Sequence, residues 1–264
     1  MPFLKWPGGK RELAPTLAGL VPDDVGTYFE PFLGSGALFF ALQPKRAVLG
    51  DSNAELIDCF LAVRNEPNSV VEALRRLPNS ADDFYRIRKS QPRLRATRAA
   101  RFIYLVKLGF NGIYRVSKKT GRFNVPYGQH IGRRIVDRPS ILAASKVLQK
   151  ASIAASDFEK LVTTARKGDL VYFDPPYTLH HSNNGFIRYN QNLFSWPDQS
   201  RLAGCAASLA KRGVRVIVSN ASHDSITRLY PAFDRMLVTR NSEMAADIAA
   251  RGQVQELILT ANLK

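Results

Sequence analysis

The sequence predicts an α/β fold: a doubly wound sheet in which strands alternate with helices, interrupted by an inserted segment that is mainly helical and carries a β-hairpin. Three observations carry this prediction. Short apolar runs alternate with helical stretches in both halves of the chain. Several of these runs end in Gly-rich or acidic turns. One middle segment breaks the alternation and holds all of the net charge. With 264 residues, the chain is long enough to bury a sizeable core.

The first half of the chain contains two predicted strand–turn–helix units. Residues 27–42, TYFEPFLGSGALFFAL, predict a strand, a Gly-rich turn and a helix. Residues 46–63, RAVLGDSNAELIDCFLAV, predict a strand, an acidic turn and a helix that begins with an Asn/Glu signal. Repeated units of this kind build a sheet with helices on its faces.

The second half continues the alternation. Residues 151–158, ASIAASDF, and 168–177, GDLVYFDPPY, each predict a short strand. A helix is predicted from Asp198 to Arg212, and GVRVIVSN at 213–220 predicts the next strand. Finally, RMLVTR and VQELILTAN near the end of the sequence predict a closing pair of strands.

The inserted segment is strongly basic. Residues 84–150 contain 17 Lys or Arg but a single acid, Asp137, so this segment carries the whole formal charge of +16. Charge runs are usually solvated surfaces that mix both signs, whereas this one almost excludes acids, which favours a polyanion-binding face. We therefore predict one domain formed by residues 1–60 and 151–264, and a second domain inserted at 61–150. Within the insertion, residues 110–128 read FNGIYRVSKKTGRFNVPYG, which predicts a hairpin.

Four predicted strands end in residues suited to ligand binding: EPFLGSG, GDSN, SDF and DPPY. In an open α/β sheet, ligands bind outside the carboxyl ends of the strands. Gly34 and Gly36 let a ligand approach the backbone, but a third glycine is missing, so a dinucleotide is not implied. Asp51 is placed to accept hydrogen bonds from ribose hydroxyls, or is simply a turn residue. Phe158 either lines a purine pocket or belongs to the core.

The strand that ends in Asp174-Pro175-Pro176-Tyr177 suits one chemistry, methylation of an exocyclic amino nitrogen. Such a nitrogen is a weak nucleophile because its lone pair is delocalised into the ring. The Asp174 carboxylate and the Pro175 carbonyl can accept its two N–H bonds and favour the pyramidal form. The prolines hold these acceptors in place, and Tyr177 offers a stacking face for an extruded base. A strand-terminating turn explains the prolines, but not the Asp and the Tyr together.

Several other classes of site are disfavoured. The N-terminus has no apolar leader and no stretch approaches a membrane span, so we expect a cytoplasmic protein without membrane contact. Neither the two cysteines nor the histidines have the spacing of a metal site, and no metal is predicted. The histidines of HHSNNGF, at 180 and 181, instead suggest a mobile loop that orders over a flipped base. Methylation of cytosine C5 is disfavoured because no cysteine follows a proline as a nucleophile.

The chain is similar to the Dam-type DNA adenine-N6 methyltransferases (D12 class, alpha group). Besides DPPY, the strings that carry the resemblance are FLKWPGGK at 3–10, EPFLGSG at 30–36, GDSNAELI at 50–57 and FNGIYRV…GRFNVPYG at 110–128. The resemblance implies a Rossmann-like, S-adenosylmethionine-dependent methyltransferase sheet, with residues 61–150 as the target-recognition domain. It further implies methyl transfer to N6 of a flipped adenine in a short double-stranded DNA site, with S-adenosylhomocysteine as product, by a monomer or weak dimer of bacterial or phage origin.

The resemblance also assigns roles to individual residues. The tetrapeptide Asp174, Pro175, Pro176 and Tyr177 is expected to be catalytic. The residues expected to bind the cofactor are Trp6, Lys10, Phe32, Gly34, Gly36, Asp51, Phe158 and Asp174. Lys5 is expected to reach a base, Phe110 to fill the gap left by the flipped base, and Arg115 to read a base, with guanine as the partner that suits a bidentate contact. Asn111, Ile113 and Pro126 are expected to support these DNA contacts. The residues expected to follow phosphates are Lys118, Lys119, Arg122, Arg133 and Arg134.

The chain departs from GATC-specific relatives where bases are read. After FNVPYG it continues with QHIGRRIVD, and its hairpin tip reads SKKTG. The target is therefore GATC or another short palindromic site. Two alternatives stay open: an enzyme that methylates cytosine N4 or an RNA adenine, and a DNA-binding protein without catalytic activity. Asp at the first position of DPPY favours DNA adenine, and the intact Trp6, Lys10 and Tyr177 favour an active enzyme.

Overall fold

The computed structural model describes residues 2–117, 119–129, 135–177, 194–241 and 253–263. Its strands are β1 (Tyr28–Glu30), β2 (Ala47–Asp51), β3 (Ala151–Ala155), β4 (Leu170–Phe173), β5 (Arg215–Ala221), β6 (Asp234–Asn241) and β7 (Gln253–Ala261). The helices up to the end of the insertion are α1 (Ala14–Ala18), α2 (Ala37–Leu42), α3 (Ala54–Asn65), α4 (Pro67–Arg75), α5 (Ala81–Lys89), α6 (Arg95–Leu108) and α7 (Arg138–Leu148). They are followed by α8 (Phe158–Leu161), α9 (Trp196–Lys211) and α10 (Asp224–Leu229).

The strands form one seven-stranded sheet in the order β3-β2-β1-β4-β5-β7-β6. Strands β2, β1, β4 and β5 run parallel to one another, with Tyr28 of β1 opposite Ala47 of β2 and Leu170 of β4. Strand β7 is antiparallel to β5 and to β6, so the predicted closing strand pair is confirmed. Because parallel strands need helical crossovers, this order is that of a doubly wound α/β sheet, and the predicted fold class is confirmed.

The chain folds as two compact units, which we describe separately. The first unit contains Met1–Arg11, Gly34–Gln43 and Asn53–Ala155, and the second contains Glu12–Leu33, Pro44–Ser52 and Ser156–Lys264. These are units of packing. The division of function between residues 1–60 with 151–264 and an inserted recognition domain at 61–150 stays a prediction.

The second unit buries one apolar face of the sheet. Phe29, Val171, Phe173 and Val218 alternate along their strands with residues of the opposite face, and they pack against side chains of α8, α9 and α10. Helix α9 begins at a capping box, in which Ser195 and Asp198 satisfy each other's backbone N–H groups. Residues of the opposite face, such as Tyr28 and Tyr172, are buried as well, so the sheet is covered on both faces.

The first unit is mainly helical, and its longest helix, α6, packs against α3, α4 and α5. Helix α3 begins where the Asn53 side chain accepts a hydrogen bond from Leu56 N, as the Asn/Glu start signal predicts. The predicted hairpin is present as an antiparallel arrangement with bridges at Gly109–Tyr127 and Val116–Phe123. It is not a regular pair of strands, because a 3-10 turn occupies Phe110–Gly112 in its first arm. Within the described parts of both units, no helix is long and apolar enough to span a membrane.

Candidate functional site

The carboxyl ends of three neighbouring parallel strands meet at one edge of the sheet in the second unit. Glu30 ends β1, Asp51 ends β2, and Asp174 follows the last residue of β4. Two backbone hydrogen bonds fix the loops at this edge: Leu33 N donates to Gly50 O (2.8 Å), and Ser156 N donates to Asp51 O (3.1 Å). This is the edge at which open α/β sheets bind ligands.

Strand β4 lies between β1 and β5, and all of its residues from Leu170 to Phe173 are buried. At Asp174 the chain leaves the core, and Pro175 and Pro176 prevent any further ladder because neither offers a backbone N–H. Asp174 and Tyr177 are half-buried, whereas Pro175 is buried. A rigid turn therefore presents a carboxylate and a phenol ring from the centre of the sheet.

Polar side chains line the sheet face from which Asp174 projects. Tyr28 and Glu30 alternate with the apolar Phe29, and the Tyr28 hydroxyl donates to Glu30 Oε2 at 2.9 Å. On the neighbouring strands, the hydroxyls of Tyr172 and Ser219 are 3.0 Å apart. Burial raises the pKa of both tyrosines well above its ordinary value, and the negative charges of Asp174 and Glu30 add to this shift. Both phenols therefore keep their protons at neutral pH.

The sequence prediction missed this polar face. Its signal was nevertheless present in the alternation of each strand: Tyr172 stands two positions before Asp174, and Tyr28 two positions before Glu30. Ser219 follows Val218, which pairs with Phe173. These side chains form a hydrogen-bonded floor next to the candidate catalytic carboxylate.

An aromatic cluster lies at the same sheet edge. Phe32 stacks on Phe158 with ring centroids 5.4 Å apart, and it meets Phe173 and Phe194 edge to face. Phe158 is only 4% exposed, whereas Phe32 is half-buried. Of these two phenylalanines, both predicted to bind the cofactor, Phe32 thus has the more accessible ring, and contact through Phe158 stays a prediction.

Arg201 of α9 packs against this aromatic cluster from the protein surface. Its guanidinium carbon lies 4.9 Å from the centre of the Phe158 ring. The same group forms ion pairs with three carboxylates, those of Asp157, Glu159 and Asp198, at 2.9–3.1 Å. The hydrogen bonds to Glu159 and Asp157 raise the pKa of Arg201 above its ordinary value. The sequence prediction missed Arg201, although its spacing of three residues from Asp198 on a helix was a visible signal.

In the first unit, Trp6 lies against the Gly-rich turn. A Cβ atom on Gly34 would stand 3.0 Å from Trp6 Cδ1, so a side chain there would collide with the indole. Gly34 and Gly36 also have positive φ angles of 48° and 67°, which glycine adopts without strain. Lys10 is 5% exposed, and its Nζ donates to Gly8 O at 3.1 Å. Two of the residues predicted to bind the cofactor, Trp6 and Gly34, are therefore in contact in the first unit.

The predicted hairpin at residues 110–128, called the DNA-reading segment below, is also in the first unit. Phe110 is 49% exposed, an unusual position for a large apolar ring. The turn after it has positive φ angles at Asn111 and Gly112, and Phe110 N donates to Pro126 O at 2.9 Å. Arg115 is exposed, and its Nε donates to Asn124 Oδ1 at 2.9 Å. This bond orients the guanidinium that we expect to read a base.

The remaining predicted DNA contacts differ in position. Lys5 packs its aliphatic stem against Gly112, since a Cβ on this glycine would stand 3.1 Å from Lys5 Cδ. Ile113 is half-buried, whereas Pro126, Lys119 and Arg122 are exposed. Three predicted phosphate contacts, Lys118, Arg133 and Arg134, lie outside the described residues, as does the predicted loop with the His pair at 180 and 181. In the parts that are described, no group of His, Cys, Asp or Glu side chains is placed to hold a metal ion.

Several basic residues of the insertion are used within the first unit itself. Arg88 Nη1 donates to Val125 O, and Arg101 donates to the carbonyls of Ile87 and Arg88. Arg95 and Arg98 both pair with one acid, Asp58, on α3. Burial lowers the pKa of Arg101 below its ordinary value. Part of the charge that the sequence assigns to a polyanion-binding face is therefore structural.

The chain is similar to known DNA methyltransferases over most of its length. A sequence profile of the D12 class N6 adenine-specific DNA methyltransferases matches residues 6–244. The type II methyltransferase M1.LlaDCHI of Lactococcus lactis subsp. cremoris is 39% identical over 98% of this chain and 94% of its own length. The type II methyltransferase M.MjaIII of Methanocaldococcus jannaschii is 34% identical over 88% and 89% of the two chains. The DNA adenine methylase of Vibrio cholerae is 31% identical over 97% and 94%.

Proposed function

This chain belongs to the D12 class N6 adenine-specific DNA methyltransferase family, and from this premise we propose that it transfers a methyl group from S-adenosylmethionine to N6 of an adenine flipped out of a short duplex DNA site. The chain is an adenine-specific DNA methyltransferase by family, which argues against the alternatives left open above: methylation of cytosine N4 or of an RNA adenine, and DNA binding without catalytic activity. The flipped base, the roles of single residues and the short site belong to the proposal. We further propose a monomer or weak dimer that acts on double-stranded DNA in the cytoplasm.

One observation carries the proposal: the half-buried Asp174 carboxylate at the end of the central strand β4, fixed by two prolines. An exocyclic amine needs two acceptors to localise its lone pair on nitrogen. Asp174 and the Pro175 carbonyl supply two acceptors in one rigid turn, so they require little reorganisation when the reaction begins. Tyr177, which follows Pro176, supplies a ring face on which the extruded adenine can stack.

The residues of each unit fit the cofactor that the family implies. In the second unit, Asp51 supplies a carboxylate for ribose hydroxyls, and Phe32 an accessible ring for the apolar parts of the nucleoside. In the first unit, two of the three residues of the Gly34-Ser35-Gly36 turn are glycines, so a ligand can approach the backbone there. Trp6 lies against this turn. Lys10 follows Trp6 by four positions in the sequence. When bound, S-adenosylmethionine supplies a methyl group on a positively charged sulfur. The acids Asp51 and Asp174 suit that charge.

The side chains around Asp174 then have defined tasks. Tyr172 and Ser219 hydrogen-bond each other on the same face, and Tyr28 donates to Glu30, so the polar groups nearest the reaction are already paired. The Asp174 carboxylate and the Pro175 carbonyl hold the two N–H groups of the adenine amine. Tyr177 excludes water from one face of the base. Pro176 keeps the tyrosine at a fixed distance from the acceptors.

The DNA-reading segment of the first unit serves the same reaction. Phe110 is exposed and supported by the backbone bond to Pro126, which suits an apolar side chain that fills the space of a flipped base. Arg115, oriented by Asn124, suits bidentate recognition of a guanine edge. Lys119 and Arg122 suit phosphate contacts that position the duplex. Lys5, held against Gly112, reaches the same turn from the N-terminal segment.

The product of the reaction tests the proposal. The purified protein is incubated with tritiated S-adenosylmethionine and unmethylated plasmid, the DNA is digested to nucleosides, and the modified positions are mapped by long-read sequencing. We expect the label in N6-methyladenine within one short recurring site. Label recovered as N4-methylcytosine, or label found only when RNA is supplied, would contradict the proposal.

A further inference from the structure

The indole of Trp6 joins two parts of the first unit that have different predicted tasks. On one side it lies against the Gly-rich turn, where a Cβ on Gly34 would stand 3.0 Å from it. Next to it, a Cβ on Gly9 would stand 3.1 Å from Ser35 Oγ, so the N-terminal segment follows this turn at two points. Trp6 also stacks on Tyr114, with ring centroids 5.1 Å apart and planes 29° apart. Tyr114 belongs to the DNA-reading segment.

Tyr114 has a second connection, through its hydroxyl. This hydroxyl donates to Glu55 Oε2 at 2.8 Å. Glu55 lies in the first turn of α3, the helix that Asn53 caps directly after the end of β2. The same tyrosine is therefore bound to Trp6, which touches the Gly-rich turn, and to the start of the helix that follows the Asp51 strand in sequence.

Within the DNA-reading segment, Tyr114 is well placed to transmit a displacement. It precedes Arg115, and its ring also packs on Phe123 of the opposite arm with centroids 5.8 Å apart. Lys5, the residue before Trp6, packs against Gly112 two positions before Tyr114. A shift of the N-terminal segment therefore changes contacts at two positions beside the arginine that we expect to read a base.

We propose that Tyr114 couples cofactor binding to DNA reading, by tying the arm that carries Arg115 to Trp6 through its ring and to Glu55 through its hydroxyl. The inference rests on the proposed function, since it assigns the Gly-rich turn to the cofactor and Arg115 to DNA. When the cofactor orders the turn and Trp6, the tyrosine orders the arm, so DNA binding loses less conformational entropy. By thermodynamic linkage, bound DNA raises the cofactor affinity by the same factor.

Coupling is measured as a ratio of dissociation constants. Isothermal titration with S-adenosylhomocysteine, first on the protein alone and then with a saturating duplex that carries the mapped site, gives two values. For the unaltered protein we expect the second value to be about tenfold lower. Tyr114→Phe keeps the ring and removes only the hydroxyl. It should reduce the ratio about threefold or more, while the affinity for S-adenosylhomocysteine without DNA changes less than about twofold.

Two further variants make the test specific. Glu55→Ala should reduce the ratio as Tyr114→Phe does, and the double variant should reduce it no further, because both changes remove the same hydrogen bond. Tyr127→Phe is the matched control. It removes a hydroxyl from the opposite arm of the same segment, where it donates to Asn79 Oδ1 at 2.9 Å. Its ratio should equal that of the unaltered protein.

The outcomes separate the inference from the function on which it rests. A protein that methylates adenine but binds S-adenosylhomocysteine equally with and without DNA overturns the coupling and leaves the function intact. The coupling is also overturned if Tyr114→Phe keeps the full ratio, or if Tyr127→Phe reduces it as much. A protein that methylates no DNA overturns both.

Discussion

At Asp174 the chain passes from a fully buried strand into a half-exposed turn within a single residue. This position gives the carboxylate two properties that are usually opposed. It is rigid because β4 pairs with a strand on each side and two prolines follow. It is also only half-buried, because the prolines turn the chain out of the sheet, although its Oδ1 atom lies inside the protein. Preorganised acceptors of this kind contribute most when they need not move during the reaction.

We expect Asp174→Ala to lower kcat by at least about 100-fold, because one of the two acceptors for the adenine amine is lost. The affinity for DNA should change little by comparison. Single-turnover methylation rates and equilibrium titrations measure the two effects. Asp24→Ala is the control: it removes an exposed acid of the same unit, whose partner is Arg215. If the Asp174→Ala variant kept full activity, the catalytic role proposed for this residue would be wrong.

Arg201 shows how one side chain outside the sheet can act on the candidate cofactor site. Its guanidinium covers Phe158 and neutralises part of the charge of three carboxylates. Because the side chain is 43% exposed, its ion pairs contribute little to global stability. Its main effect is therefore expected on the position of Phe158 and of Phe32, which stacks on it.

We expect Arg201→Met to weaken S-adenosylhomocysteine binding about three- to tenfold, because the cation–π contact is lost and three acids repel one another. Titration calorimetry measures the affinity. The matched control is Arg215→Met, which breaks a pair with Asp24 at the first residue of β5, the end opposite to the ligand-binding edge. That variant should leave the affinity unchanged. An equal loss in both variants would mean that general loosening of the second unit is responsible.

At the scale of elements, the DNA-reading segment depends on helix α5. Arg88 projects from this helix, donates to Val125 O of the returning arm at 3.1 Å, and lies 4.8 Å from the Tyr85 ring. Tyr127 of the same arm packs on Phe84, the residue before Tyr85. The described residues of this irregular hairpin form two isolated bridges and no regular strand pair, so the helix contacts add to the backbone hydrogen bonds that join its arms.

We expect Arg88→Met to weaken specific DNA binding about three- to tenfold, because the returning arm loses a charged hydrogen bond. Non-specific DNA binding should weaken less. Competition titrations with site-containing and site-free duplexes measure the difference. Arg86→Met is the control on the same helix: it removes the same charge, but within the described residues Arg86 pairs with Asp83 one turn earlier, in an exposed i,i+3 pair. A similar loss of specificity for Arg86→Met would contradict the structural role of Arg88.

At the scale of the whole molecule, the excess positive charge is concentrated in one stretch of sequence. Its members divide into two groups. Arg88, Arg95, Arg98 and Arg101 donate to carbonyls or carboxylates of the first unit. Lys119 and Arg122 are exposed near the tip of the DNA-reading segment. Only charges of the second kind are expected to release counterions from DNA.

We expect the double substitution Lys119→Ala, Arg122→Ala to reduce the slope of log affinity against log salt by about two, and to weaken all DNA sequences alike. Fluorescence anisotropy at several salt concentrations measures the slope. Lys45→Ala with Arg46→Ala is the control, since these exposed residues lie outside the basic segment and carry the same charge. A slope that falls as much in the control would show that total charge matters and its location does not.

The sequence by itself determined the parts of this protein that neighbouring residues encode. The apolar alternation predicted the strands and the helices between them, two adjacent prolines predicted where β4 ends, and the strings around Trp6, Gly34, Asp51, Phe110 and Asp174 identified the family. Such features are local, because period, turn chemistry and capping depend on residues a few positions apart. The comparisons confirm the family, and the structure confirms the doubly wound sheet. The roles of single residues, which were read from the same strings, stay predictions.

Only the tertiary structure decided which side chains support the site. Arg201 meets Asp157, 44 residues earlier, and Tyr114 meets Glu55, 59 residues earlier. No periodicity links such pairs, since their contact depends on how elements pack after the chain has folded. The same reason explains why Phe158 is buried beside the more accessible Phe32, and why several basic residues of the insertion serve its own structure. A motif is written in consecutive residues, but its supporting contacts are made across the fold.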